Sequence, residues 1–354
     1  MILRIFGIPT ETGVGIHSTS LYDALVRLKL VGVKVEWISK YDLPALAAVM
    51  AENSADDINI FLFRVPNYAE FIKGKKYFWY VFESTKPSIN PTDLLSEFDY
   101  LITPSAWGRD CLIRHGAPVD KVIVIPEGVN IWQYHPYKKS VRKKEKIRFL
   151  MIGKFESRKG YAEAFEAFKR VLSTRSDVEL WIKPDWNNGE ESFFVQGFKD
   201  IAEEYSNLSV TVFSGILTTA QLLSQYQAAD YFLFPSRCEA WGLPLIEAIA
   251  SGTPAICCDF GGQSEYLRAI PGGYISIPYQ VAPDDCENWK DDFANEEAEY
   301  GEWAKIDPTV LASIMLEACD KDLSDQAANS SKIIRTQFSW EQSARQLADV
   351  VFAG

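Results

Sequence analysis

Histidine is scarce in this chain, with 3 among 354 residues, and the 6 cysteines (Cys111, Cys238, Cys257, Cys258, Cys286, Cys319) show no Cys-x-x-Cys spacing. A zinc centre or a disulfide framework needs such groupings, so reduced, buried thiols are the expectation. Long hydrophobic runs are missing too. No stretch approaches the roughly 20 apolar residues that span a bilayer. The opening MILRIFGIPTETG has a strand-length apolar run without the hydrophobic region or small-residue cleavage site of a secretory leader. A soluble, cytoplasmic protein is expected, with at most peripheral membrane contact. Positive charge is also in deficit. The net charge of -12 argues against a general nucleic-acid binder, which carries a basic face.

What the chain does have is length and an ordinary globular composition, 47% hydrophobic and 24% charged. Its 354 residues exceed what one hydrophobic core usually supports, so two domains are expected. The first half alternates strand-like runs with helical patterns: ILRIFGI (2–8), VKVEWI (33–38), INIFLFRV (58–65), KYFWYVFES (76–84), DYLITPS (99–105) and VIVIPEGV (122–129). A Gly-bearing turn at 10–15 and a helix over 17–32 follow the first run. Continuous apolar strands separated by helices imply parallel pairing with both faces covered, a doubly wound α/β sheet.

Periodicity then lapses in NIWQYHPYKKSVRKKEK (130–146), a charged stretch read as an interdomain linker with a solvated basic run. Alternation restarts at IRFLMIG (147–153). The segment YAEAFEAFKRVL after it places Tyr161, Ala164, Phe165, Phe168, Val171 and Leu172 on one helical face. The predicted organisation is therefore an N-terminal domain over 1–135, a linker over 136–146, a C-terminal domain over 147–335, and a last helix at 336–354 able to pack back on the N-terminal domain. Both domains are α/β and doubly wound, with ligands expected in a cleft outside their strand C-termini. The acidic stretch DDCENWKDDFANEEAEYGEW (284–303) stands apart from this pattern.

Two constellations carry chemistry. In CEAWGLPLIEAIASGTP (238–254), Glu239 and Glu247 flank a strand-to-helix turn. Pro244 suits the first helical position and Gly252 the C-terminal cap. The amides near Gly242 and Leu243 suit an anion or a sugar hydroxyl, and Gly242 lets a ligand approach the backbone. Taken alone, this stretch reads equally well as a helix start, with Glu247 complementing the dipole and Glu239 solvated. The second constellation, GKFESRKG (153–160), sets Lys154, Arg158 and Lys159 before a helix. Cations there oppose the dipole, so they are poor as structure and sensible as polyphosphate binders.

These residues carry a resemblance. The block FPSRCEAWGLPLIEAIASGTPAICCDFGGQSEYL (234–267), with its Glu, seven residues, Glu pattern, closely resembles the signature of family 4 glycosyltransferases, and GKFESRKG resembles that family's basic turn. VFSGILTTAQLLSQYQAAD (212–230), PEGVN (126–130) and ITPSAWGRDCLIRHGAP (102–118) extend the likeness over nearly the whole chain. The resemblance implies the GT-B fold, two doubly wound Rossmann-like domains facing a central cleft. It implies a retaining transferase that moves a hexose from a UDP- or GDP-linked sugar to an acceptor hydroxyl, with no cofactor and no metal site. Lys154 and Lys159 would neutralise the diphosphate and Glu239 would contact the transferred sugar, as the catalytic set. Glu247 would hold the ribose hydroxyls, Gly242 and Leu243 would lend amides, Ile216 would pack near the base, and Gly15 would let the first loop approach the diphosphate. Glu83, and His17 just past the glycine turn, fall on the acceptor side; His17 is equally readable as a capping or surface residue. Lys154 stands where the family often has Arg, which forgoes a bidentate phosphate grip. The implied partners are a nucleotide sugar and a carbohydrate or glycolipid acceptor. A sugar-nucleotide epimerase, a binding protein without turnover, and a transferase acting on protein or modified nucleobases stay open as other readings.

Overall fold

The computed structural model describes residues 1–10, 12–64, 68–137, 146–185, 209–213, 215–283 and 301–352. The chain divides into two compact units, Met1–Asn130 with Gln337–Gly354, and Ile131–Thr336.

In the first unit the strands are β1 (Ile2–Gly7), β2 (Lys34–Ser39), β3 (Ile58–Phe61), β4 (Lys75–Trp79), β5 (Tyr100–Thr103) and β6 (Val122–Val124). They pair in parallel in the order β2-β1-β3-β4-β5-β6. Helices α1 (Gly13–Leu28), α2 (Leu43–Ala51), α3 (Pro91–Glu97) and α4 (Ala106–Arg114) connect them. β3 is buried along its whole length, as a strand covered on both faces requires. Stacked Phe6 and Phe61, with ring centroids 4.2 Å apart, lie in an aromatic core with Phe78 and Phe98.

One expectation changes here. Helix α1 begins at Gly13 rather than at residue 17, so the supposed glycine turn is the helix's first turn. The reason is close packing: a Cβ on Gly15 would lie 2.0 Å from the Thr10 carbonyl oxygen. Glycine is needed there for the approach of the preceding loop.

The second unit holds β7 (Ile147–Lys154), α5 (Tyr161–Leu172), β8 (Val178–Asp185), β9 (Val210–Val212), α6 (Thr219–Ala228), β10 (Tyr231–Phe234), α7 (Leu243–Ala250), β11 (Ala255–Cys257), α8 (Ser264–Leu267) and β12 (Tyr274–Ser276). A hairpin, β13 (Tyr279–Pro283) with β14 (Glu302–Ile306), and helices α9 (Pro308–Cys319) and α10 (Ser324–Gln337) follow. The main sheet is parallel in the order β12-β11-β10-β7-β8-β9. From β7 the chain first builds outward through β8 and β9, then returns to the other side of β7 with β10. The carboxyl ends of β7 and β10 therefore flank the topological switch point, where an open α/β sheet leaves a crevice. The face of α5 read from its periodicity is buried in this unit's core, apart from Leu172, which is half-buried at its edge.

The antiparallel hairpin was not anticipated: β14 ends an acidic, aromatic stretch with no clean alternation. Residues 284–300, Cys286 among them, and 138–145 of the expected linker lie outside the described residues. The other five cysteines are free; Cys111, Cys238, Cys257 and Cys258 are buried. Among the described residues no helix is long and apolar enough to cross a membrane.

The last helix, α11 (Trp340–Phe352), belongs to the first unit. It sits on the PEGVN turn: Val129 N–H donates to Phe338 O at 2.8 Å, and the Ser343 hydroxyl donates to Pro126 O at 2.6 Å. Gly128 allows this contact, since a Cβ there would meet the Trp340 nitrogen at 2.2 Å.

Candidate functional site

Two loops at the switch point interlock through their backbones. The turn after β7 runs through a 3-10 segment, Ser157–Lys159, to Gly160, whose left-handed φ of 72° starts α5. A Cβ at Gly160 would lie 2.2 Å from Pro235 O in the loop after β10. The Arg158 carbonyl accepts from Arg237 N–H at 2.8 Å and from the Ser236 hydroxyl at 3.3 Å. In return the Arg158 guanidinium donates to Cys238 O at 2.8 Å. The basic turn and the loop carrying Glu239 thus form one framework.

Within that framework two hydrogen-bond donors and a paired guanidinium converge on a single carboxylate oxygen. Glu239 Oε1 takes Lys159 Nζ at 2.6 Å, Arg158 Nη1 at 3.0 Å, and the Ser236 hydroxyl. The Glu239 and Arg158 side chains are each 5% exposed. Burial alone would raise the Glu239 carboxyl, but Arg158, Lys159 and the Ser236 hydroxyl outweigh it and bring it down to about 2. Glu239 is a carboxylate at every physiological pH.

The loop then enters α7. Gly242 takes the left-handed conformation at the N-cap, φ 83°, and Pro244 occupies the first turn. The amides of Gly242 and Leu243 have no intrahelical acceptor by position. Glu247, one turn further on, is buried, and the Tyr226 hydroxyl of α6 donates to its Oε2 at 3.0 Å. A third loop supports the second from behind. Gly262 N–H donates to Glu239 O at 2.7 Å, and a Cβ on Gly262 would fall 1.6 Å from Ala240 O. The hairpin braces the same loop: Arg237 donates through Nε to Ala304 O at 3.2 Å, accepts Ala304 N–H at 2.9 Å, and lies 5.2 Å from the Trp303 ring.

The predicted residues fall into three groups. Glu239, Lys159, Gly242, Leu243 and Glu247 come together on this framework. Lys154 ends β7 and pairs with Glu156 at 3.7 Å. Ile216 stands on the loop after β9 and is 81% exposed. Gly15, His17 and Glu83 lie in the first unit. Glu83 is half-buried in the loop following β4. His17 is neither a cap nor a surface residue. It is buried, with Nδ1 3.2 Å from Glu127 Oε1 and its ring 4.5 Å from Trp79 and 5.3 Å from Trp340. Sequence reasoning named Arg158 among the cations of the basic turn but gave it no contact with Glu239, and it left out Ser236 and Tyr226, for which the Ser-Arg step ahead of Glu239 was the one available signal. Among the described residues no group of three His, Cys, Asp or Glu side chains is placed to hold a metal ion.

The family described as Glycosyl transferases group 1 matches residues 136–291. The glycogen synthase of Mycobacterium tuberculosis (strain ATCC 25618 / H37Rv) is 28% identical over 190 residues, 53% of this chain and 44% of that protein. The chain spans about half the length of the curated relatives it matches. Among solved structures, the sucrose-phosphate synthase of Thermosynechococcus elongatus has a TM-score of 0.70 at 17% identity, covering 99% of this chain and 98% of that one. HepE of Anabaena in complex with UDP-glucose has a TM-score of 0.69 at 16% identity, covering 100% of both. These likenesses establish the fold, with its two parallel six-stranded sheets, as that of GT-B transferases.

Proposed function

We propose, from the match of residues 136–291 to group 1 glycosyl transferases and from the GT-B fold, that the protein is a retaining, metal-independent transferase. It moves a hexose from a UDP- or GDP-linked sugar to a hydroxyl of a carbohydrate or glycolipid acceptor, in the cytoplasm. The observation that carries this reading is the convergence of Lys159 and Arg158 on Glu239 at the switch point. The arrangement holds fixed positive charge beside a carboxylate that stays ionised.

In this reading Lys154, Arg158 and Lys159 stabilise the departing diphosphate, the work that a divalent ion does elsewhere. Glu239 accepts hydrogen bonds from the transferred sugar's hydroxyls, and the amides at Gly242 and Leu243 assist. Glu247 takes the ribose hydroxyls, Ile216 flanks the base, and Gly15 admits the first loop. Glu83 and His17 serve the acceptor side. The bond from the sugar's anomeric carbon to the diphosphate breaks as the acceptor oxygen bonds to the same face. The acceptor's proton passes to the leaving phosphate oxygen.

Thermal unfolding with a panel of UDP-, GDP- and ADP-sugars tests the assignment. A matching nucleotide should raise the midpoint by several degrees, as ligand binding to the folded state requires. Glu247→Ala and Lys159→Ala should each abolish the rise. An undiminished rise in both variants would refute these roles. Release of nucleoside diphosphate only when acceptor is present would separate transfer from epimerisation.

A further inference from the structure

The basic turn is neutralised from within. Its three cations, Lys154, Arg158 and Lys159, meet two carboxylates of very different standing. Glu239 is 5% exposed, with Lys159, the Ser236 hydroxyl and the Arg158 ion pair all on one oxygen. Glu156, inside the turn itself, is 30% exposed. Its Oε2 accepts from Arg158 Nη2 at 3.0 Å, and its Oε1 lies 3.7 Å from Lys154 Nζ. Arg158 therefore spans both carboxylates, one through each terminal nitrogen.

We propose that Glu156 is a built-in competitor of the donor's diphosphate: it occupies Lys154 and Arg158 when no donor is bound, yields them on binding, and so sets donor affinity. This rests on the reading of the site as a diphosphate site. Three features support it. A diphosphate needs the charges that Glu156 covers, because Lys154 and Arg158 are two of the three cations on the turn. Glu156 is the carboxylate that can leave, since it faces solvent while Glu239 is enclosed. Its departure is a side-chain rotation alone. The Glu156 backbone stays fixed, with its N–H bonded to Lys154 O at 2.9 Å and its carbonyl accepting Lys159 N–H at 3.0 Å. Part-exposed pairs of this kind are weak and screened by salt, which suits a partner that must be exchanged. Without a competitor, the cations would also attract any free phosphate.

Titration calorimetry with UDP, GDP and inorganic pyrophosphate on wild type and Glu156→Gln tests the inference. The variant should bind the accepted nucleoside diphosphate and pyrophosphate roughly three- to tenfold more tightly, the effect of releasing one or two such pairs. The gap should close as ionic strength rises toward about 1 M, where screening extends over only a few ångströms. Equal or weaker binding by the variant, with wild type binding normally, overturns the role of Glu156 and leaves the donor site standing. A tightening that ignores salt also overturns it, because charge competition would not be the cause. Wild type that binds none of the three probes overturns the reading of the site itself.

Discussion

Glu239 holds two hydrogen-bond donors and the Arg158 guanidinium on one oxygen in a place from which water is nearly excluded, and its charge is part of the fold. The sign of the linkage follows from its direction. An unfolded glutamate titrates near 4.3, whereas this one is held at about 2. Its contribution is fully present above about pH 5 and is lost as the pH falls toward 2. A shift of this size corresponds to about 3 kcal/mol. Glu239→Gln should lower the thermal midpoint at pH 7, because Lys159 loses its carboxylate and the buried Arg158 keeps only the part-exposed Glu156. The difference from wild type should narrow steadily as the pH is lowered from about 5. A difference that stays constant through that range would mean that the ion pair contributes nothing.

At the scale of elements, the loop that carries Glu239 is held by what lies behind it. Gly262 faces Ala240 O so closely that a Cβ would sit at 1.6 Å, whereas Gly272, with a left-handed φ of 75°, has nothing within 4 Å of the same atom. Gly272→Ala should therefore cost only the conformational strain, about 1 kcal/mol. Gly262→Ala must displace the backbone that carries Glu239, and should cost several times more and eliminate nucleotide stabilisation in the thermal-shift measurement. Arg237 extends the support to the hairpin through Ala304 and Trp303. Arg237→Ala should raise the KM for the donor with a smaller change in kcat. Arg237→Lys should not rescue it, because lysine has neither Nε at that position nor a planar group to stack. An unchanged KM in both would detach the hairpin from the site.

The same elements explain what the sequence revealed. Glu239, Gly242, Pro244 and Glu247 were legible because a strand, a turn and a helix start leave residue types at set offsets. The stripe on α5 was legible because a buried face repeats with the helical period. Arg158 was legible as one of the turn's three cations, but nothing in the spacing says that this middle cation turns inward beneath Cys238 and Glu239. The start of α1 was misplaced because glycine was read as turn chemistry when its use was the approach to Thr10. The hairpin was missed because the acidic stretch before β14 gives no alternation until Glu302–Ile306.

For the molecule as a whole, the chain crosses from the first unit to the second and returns only with its last helix. Trp340 is 3% exposed, with its ring 5.3 Å from that of His17, and α11 closes on the turn that ends the first sheet. The first unit is thus completed by residues more than 200 positions from its own core, so part of its stability depends on the chain terminus. Burial of a tryptophan is worth about 3–5 kcal/mol against alanine. Trp340→Ala should therefore speed hydrogen exchange in α1 and in the β6–PEGVN segment by about 10²- to 10⁴-fold, where those amides exchange by opening of the unit. Exchange in α5, which lies in the second unit's core, and in α7, which packs on β10 and β11, should stay near wild-type rates. Equal acceleration in α1 and α7 would show instead that both cores open as one cooperative body, and would move Trp340 from the stability of one unit to that of the whole chain.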